Sequence, residues 1–325
     1  MILSNATRKQ HFLSQAEQRL NSIDRSLPTD RQRIYELKVL DRGEIQLSPP
    51  ESLRIENNLS MLDLFSFDVD KKQPLRQNFE ALFRRYEDDM RAHTEGLLSK
   101  LAKGDSAVSN EVMNLYAAKL LNFARNPYSV PKILDTFGLF ANFTPTHPAI
   151  QKLFIDVLNG RRKHQKHLCK QFGITNTQYE QWLRMLFNML IELAPGFPPL
   201  FDQVVQAVFT SKEFTISVLV STYDEAKCLL SDRGFSTNIA SDRAYGFDFN
   251  LCDRAFIRYI VLDRRSMNVP SWMPQESIDR FMSSDLPVQL YRAHNDLNLL
   301  RSFNVNVISQ CHSRVFCATD KDLVF

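Results

Sequence analysis

His11, Gln15 and Arg19 recur every four residues near the amino terminus. Residues four apart share a helix face, so this spacing predicts a helix over 8–20. Its polar ladder, with Arg8 one turn earlier, would lie beside an apolar stripe of Phe12, Ala16 and Leu20. Such a ladder can transfer protons and hold oxyanions. An imidazole switches between acid and base near neutral pH, and amide and guanidinium groups present fixed donors. A solvated face with one hydrogen-bonded histidine fits the same pattern, and periodicity alone does not separate the two.

Two carboxylates stand out as partners for His11. Asp232 closes the apolar run Cys228-Leu229-Leu230-Ser231, where a strand end could aim it at a metal, a histidine or a substrate proton. Asp-Arg pairs also occur at 242–243, 253–254 and 263–264, a spacing that suits strand-plus-turn units in which Asp caps its own backbone. Glu80 and Glu87 lie two turns apart on a strongly periodic segment, interleaved with Arg84, Arg85 and Arg91. Pairs such as Glu80 with Arg84 fit an exposed, mildly stabilised face. Two carboxylates and a histidine converging from different elements would instead suit acid–base or metal-assisted hydrolysis.

The most basic stretch, Gly160 to Lys170, carries Arg161, Arg162, Lys163, Lys166 and Lys170. On one helix these cations would bind phosphates with salt-sensitive affinity, or form a solvated face. His164 and His167 are three apart, half of a metal site with no second pair in view.

The elements that must position these residues point to an α+β fold. Only 9 of 325 residues are glycine, which argues against glycine-rich phosphate loops and all-β sandwiches. Helices are expected at 75–101, opened by Pro74, and at 107–125, 130–141, 147–172, 176–193 and 198–211, with Pro127, Pro145, Pro195 and Pro198 between them. This predominantly helical body spans about 70–211. Segment 32–40, the Asp41-Arg42-Gly43 turn and 44–47 read as a hairpin. Residues 55–69 are apolar and ambiguous. From 213 to 262 the chain reads as strands, at 214–221, 228–231, 235–239, 245–251 and 255–262, in a small, mostly antiparallel sheet that the N-terminal hairpin (about 30–48) could join. Helices from about Pro274 to Phe281 and Pro287 to Ser302, then a helix running into a strand over 305–316, complete a single domain over 1–325.

Five scattered cysteines without a CxxC fit free thiols in a reducing cytoplasm. No apolar run approaches about 18 residues, so a cytoplasmic protein without a membrane partner is expected. A net charge of +3 does not by itself announce nucleic acid. Dinucleotide, P-loop, zincin, serine-hydrolase and EF-hand signatures are absent.

His11-Phe12-Leu13-Ser14-Gln15, with Arg19 after it, resembles the opening His-aromatic-x-Pro-Gln…Leu-Arg motif of bacterial proteins grouped as domain of unknown function 4238. Leu229-Leu230-Ser231-Asp232 resembles that family's Thr-Ser-Asp strand end, Phe249-Asn250-Leu251 its next strand, and Asn304 or Asn306 before Val315-Phe316 its closing segment. Ser14 stands where the family has proline, and Arg233-Gly234-Phe235 replaces an Asn-Pro turn. The resemblance implies an antiphage defence or toxin-like effector that hydrolyses nucleic acid. In that reading His11 is the general acid/base, and Asp232 and Glu80 orient it or bind a divalent metal such as Mg. Gln15 and Arg19 hold phosphate oxygens, and Arg161, Arg162 and Lys163 dock the substrate. Two alternatives stand beside it: a non-catalytic sensor or interaction component answering a protein partner or phage trigger, in which the ladder is a buried network, and a small-molecule hydrolase with an apolar pocket.

Overall fold

A computed structural model describes the chain except residues 1, 2, 4, 70–75, 195, 242, 267–272 and 284–287. Pro74, Leu75, Pro195, Asp242 and Pro287, singled out above, lie outside the described residues. The elements run in the order β1 (Lys9–His11), α1 (Gln15–Leu20), β2 (Arg33–Asp41), β3 (Gln46–Leu47), β4 (Glu51–Arg54), β5 (Ser60–Leu62), β6 (Ser66–Asp68) and β7 (Arg76–Asn78). The helical body follows as α2 (Glu80–Glu87), α3 (Met90–Ala102), α4 (Ser109–Ala124), α5 (Val130–Phe137), α6 (Pro148–Asn159), α7 (Gln165–Phe172), α8 (Asn176–Leu190) and α9 (Leu200–Thr210). Then come β8 (Phe214–Thr222), β9 (Leu230–Ser231), β10 (Ser236–Ala240), β11 (Ala244–Cys252), β12 (Ala255–Asp263), α10 (Gln275–Ser283), β13 (Gln289–His294), α11 (Leu297–Gln310) and β14 (Arg314–Cys317). The fold is α+β.

The expected helix over 8–20 is divided. Ser14 caps α1, its Oγ accepting the Glu17 N–H at 3.1 Å, so the helix begins only at Gln15. Before the cap the chain pairs antiparallel with β5, His11 opposite Ser60. Alternation on that strand turns Gln10 inward, where it donates to Ser66 Oγ at 2.7 Å and accepts from the Phe65 N–H at 2.6 Å. The buried positions of α1 are Glu17, Gln18 and Leu20.

Other boundaries shift for local reasons. The helix expected over 75–101 begins with β7 and is interrupted at Asp88-Asp89, short polar residues that favour helix ends over interiors. The helix expected over 147–172 stops at Gly160, where a Cβ would lie 2.8 Å from Phe67, and Arg161 pairs through its backbone with Asp68. Within 287–302 the expected helix is instead β13 followed by α11, whose Asp296 cap accepts the N–H groups of Asn298 and Leu299.

Two five-stranded sheets replace the single one expected. β10-β11-β12-β8-β13 is antiparallel except for the last pair, in which β13 runs parallel to β8. The hairpin does not join it. β2 and β3 pair as predicted, but β2 carries β4 and lies beside C-terminal β14, which in turn holds β9. The main apolar core draws on helices and large sheet alike, from Trp182, Phe187 and Leu121 to Tyr259 and Ile257. A second core packs α11 against β14 and β2 through Phe303, Val307, Val315 and Leu37.

Inside the main core lies an ion pair. Lys119 on α4 donates to Glu17 at 2.5 Å and to the Asn250 carbonyl, with neither charged side chain exposed. Asn122 donates to the other Glu17 oxygen, and Asn21 and Asn250 exchange amide bonds at 2.8 and 2.9 Å. Removing one member strands the other's charge, so Lys119→Met should cost about 3–5 kcal/mol in denaturant unfolding, and Glu17→Gln/Lys119→Met less than the sum of the singles.

Candidate functional site

The ladder survives the loss of its helix. Gln15 Nε2 lies 3.3 Å from His11 Nδ1, and Arg19 donates to Gln15 Oε1. Burial, then the charge of Arg125, lowers the His11 imidazole to about 4, so it is neutral across the physiological range. The backbone of Glu56 and Ile55 opposes the shift, although the buried Nε2 makes no hydrogen bond of ordinary geometry among the described residues.

Glu80 belongs to a different environment. Arg125, 1% exposed at its side chain, donates to Glu87 and to Asn122 Oδ1 and lies 4.9 Å from the Phe83 ring centre. Burial pushes the Glu80 carboxyl up to about 7, with Arg125 opposing and Glu87 reinforcing, and its Oε1 has no partner among the described residues. His11 and Glu80 therefore share the field of one buried guanidinium, Arg125.

Asp232 has both of its oxygens engaged. Its carboxylate accepts the backbone N–H groups of His312 at 2.6 Å, Ser313 at 2.8 Å and Arg314 at 3.0 Å, while its carbonyl accepts Asn126 Nδ2 at 2.9 Å. Burial raises its carboxyl and those three N–H groups oppose the shift. Gly234 completes the turn with a φ of +77°, and a Cβ there would meet Leu13 at 2.6 Å, so glycine is needed twice over.

Asp232 lies in the wall of a cavity of about 610 Å³. Arg33, Arg54 and Arg314 line it, together with Glu51, Phe12 and Tyr128. Arg314 pairs with Glu36 at 2.9 Å; Arg33 and Arg54 make no ion pair among the described residues. The His312 ring stacks on Tyr128 with centres 4.1 Å apart and planes within 8°, and Phe12 meets Tyr128 edge-on. Burial lowers the His312 imidazole, with Asp232 opposing, which favours its neutral form.

Part of the basic run is used in the fold. Arg162 turns back to the Val157 and Leu158 carbonyls and reaches Glu180 at 3.6 Å; Lys163 lies 3.2 Å from Asp68, and His164 3.4 Å from Asp63. Arg161 is exposed beside its backbone bridge. The exposed cations of α7 are Lys166 and Lys170, and Gln171, next in line, borders the cavity.

Among the described residues no hydrogen bond or ion pair joins His11, Glu80 and Asp232, and no group of three or more His, Cys, Asp or Glu is arranged to hold a metal. The Asp-Arg pairs at 253 and 263 serve turns: Asp253 binds Arg25 and Lys227, and Asp263 binds Arg265. Arg33, Arg54, Tyr128, His312 and Arg314 went unnoticed in the sequence, where each is an isolated residue without a local pattern.

Two measurements probe these assignments. Asp232→Asn keeps the size but swaps an acceptor oxygen for a donor amide, and should lower stability by about 1–3 kcal/mol with altered amide shifts at 312–314. Glu80 carries a folded-state value above the ordinary 4.5, so its contribution to stability is lost as pH rises from about 4.5 to about 7. Glu80→Gln should therefore gain on the wild type by about 2 kcal/mol at pH 8, relative to the difference at pH 4.5, after discounting for partial exposure.

Among the described residues no helix is long and apolar enough to cross a membrane. No protein-family model, curated protein or solved structure matches the chain.

Proposed function

We propose that the protein binds single-stranded nucleic acid in the cavity between β4, β5 and the 312–314 segment, and cleaves its phosphodiester backbone. The observation that carries the reading is the convergence of Arg33, Arg54, Arg314 and Tyr128 on one polar cavity, with the His312 ring stacked on Tyr128 behind its lining. Guanidinium groups bind phosphates through forked donors, and aromatic faces stack bases without regard to sequence. Lys166 and Lys170 add positive charge on the helix that borders the cavity.

In this reading the acid–base role assigned to His11 passes to His312. Its ring is exposed and inclined to neutrality, and Arg314 is close enough to offset charge developing on a phosphate. Asp232 acts as a positioning residue, fixing the backbone that carries both. Gln15 and Arg19 orient His11 at the entrance to α1. The resemblance to defence-associated bacterial proteins makes an antiphage or toxin-like effector the biological setting of this proposal.

A non-catalytic sensor is the second reading, favoured by the saturation of Asp232 and the burial of His11 Nε2. One set of variants separates the two. Arg54→Ala and Arg314→Ala should weaken binding of fluorescent single-stranded RNA and DNA and reduce the salt dependence by about one unit of slope each. His312→Ala should abolish cleavage of the bound strand while keeping its affinity and melting temperature, and should remove any phage protection. Binding without cleavage by the wild type would leave the sensor reading; no binding at low salt would refute both nucleic-acid roles.

A further inference from the structure

A smaller cavity, of about 240 Å³, borders Cys311, the residue before His312. Arg42 from the β2–β3 turn, Lys132 from α5 and Arg233 from the turn after β9 line it, with Phe235, Gln310 and Cys311. No carboxylate lines it. Arg42 donates to the carbonyls of Cys311 at 3.1 Å and His312 at 2.7 Å. Lys132 and Arg233 make no ion pair among the described residues, and the buried Arg233 Nε has no acceptor. The Lys132 ammonium lies 5.3 Å from the Phe235 ring centre.

Three cations lining one cavity with no carboxylate in its wall repel one another, and proteins normally relieve this with a carboxylate in direct contact. Asp232, next to Arg233 in the chain, supplies negative charge from outside the lining, but its oxygens are turned to the amides of 312–314 and make no ion pair with the three cations among the described residues. Burial, then the charge of Arg233, lowers the Lys132 ammonium, so the two cations lie in one another's field. We infer that Arg42, Lys132 and Arg233 form a second anion subsite, specific for a phosphate group. Its forked and point-charge donors suit a tetrahedral oxyanion. Resting on the function proposed above, its occupant is a phosphate of the same strand that fills the larger cavity. Arg42 holds the His312 carbonyl and Asp232 the His312 amide, so one residue from the lining of each site holds the same stretch of backbone.

Inorganic phosphate is the probe for the subsite itself. Its addition should raise the melting temperature of the full chain more than chloride at equal ionic strength, since a ligand of the folded state stabilises by mass action. Lys132→Gln, at an exposed position that should fold normally, and Arg233→Gln should each weaken the phosphate midpoint about tenfold, the loss of one charge-assisted contact. In an Arg54→Gln background, where the larger cavity's own hold on phosphate is weakened, Lys132→Gln and Arg233→Gln should still produce that loss. An equal effect of chloride, or a phosphate response that persists in both Lys132→Gln and Arg233→Gln, would overturn the assignment. With single-stranded oligonucleotides, Lys132→Gln should also lower the salt slope by about one. An unaltered slope for a strand that does bind would refute the shared-strand occupant. Failure of any strand to bind, with the phosphate response intact, would leave the subsite standing and defeat the cleft reading.

Discussion

Everything near the amino terminus depends on the buried contact between Glu17 and Lys119. Two opposite charges with no exposure are expensive to bury, and their attraction repays that cost only when the remaining donors and acceptors are satisfied. Here they are: Asn122 takes the second carboxylate oxygen, and the Asn250 carbonyl takes another ammonium proton. One short network therefore ties α1, α4 and β11 together. Arg125 extends it to Glu87 and so to α2.

That constraint reaches the larger cavity through the backbone. With α1 fixed, the chain ahead of its Ser14 cap enters through β1, and Phe12 is delivered against Tyr128. Asp232 does for the carboxyl-terminal segment what Glu17 does for the amino-terminal one. It gathers three backbone N–H groups, so that His312 and Arg314 project from a stretch that is held rather than loose. A carboxylate committed in this way has little capacity left for proton transfer, and its value lies in the precision with which it places its neighbours.

Composition and periodicity made much of the architecture readable. Scarce glycine and apolar spacing indicated the helical body. α4, α8, α9 and the strands β8, β11 and β12 fall within a few residues of their expected limits, because each has a strong pattern of its own. The misreadings share a cause. Over 8–20, 75–101 and 147–172 a helical period ran through residues that a cap, a paired acid or a close backbone contact converts into an end. Gln289–His294 became a strand because β8 offered a free edge, which no local signal announces.

The candidate site was less legible than the fold. His11, Gln15 and Arg19 were found because their spacing is local, and they do touch, although across a strand–helix junction. Asp232 was found as a strand end, but whether its oxygens were free depended on a segment about 80 residues away. The α+β class, the order of most elements and the chemistry available at each position were determined by the sequence itself, since propensity and periodicity act within a few neighbouring residues. Which carboxylate is saturated, which histidine is buried and which arginines share a cavity were decided only by tertiary structure, because burial and electrostatic fields depend on atoms brought together from distant parts of the chain.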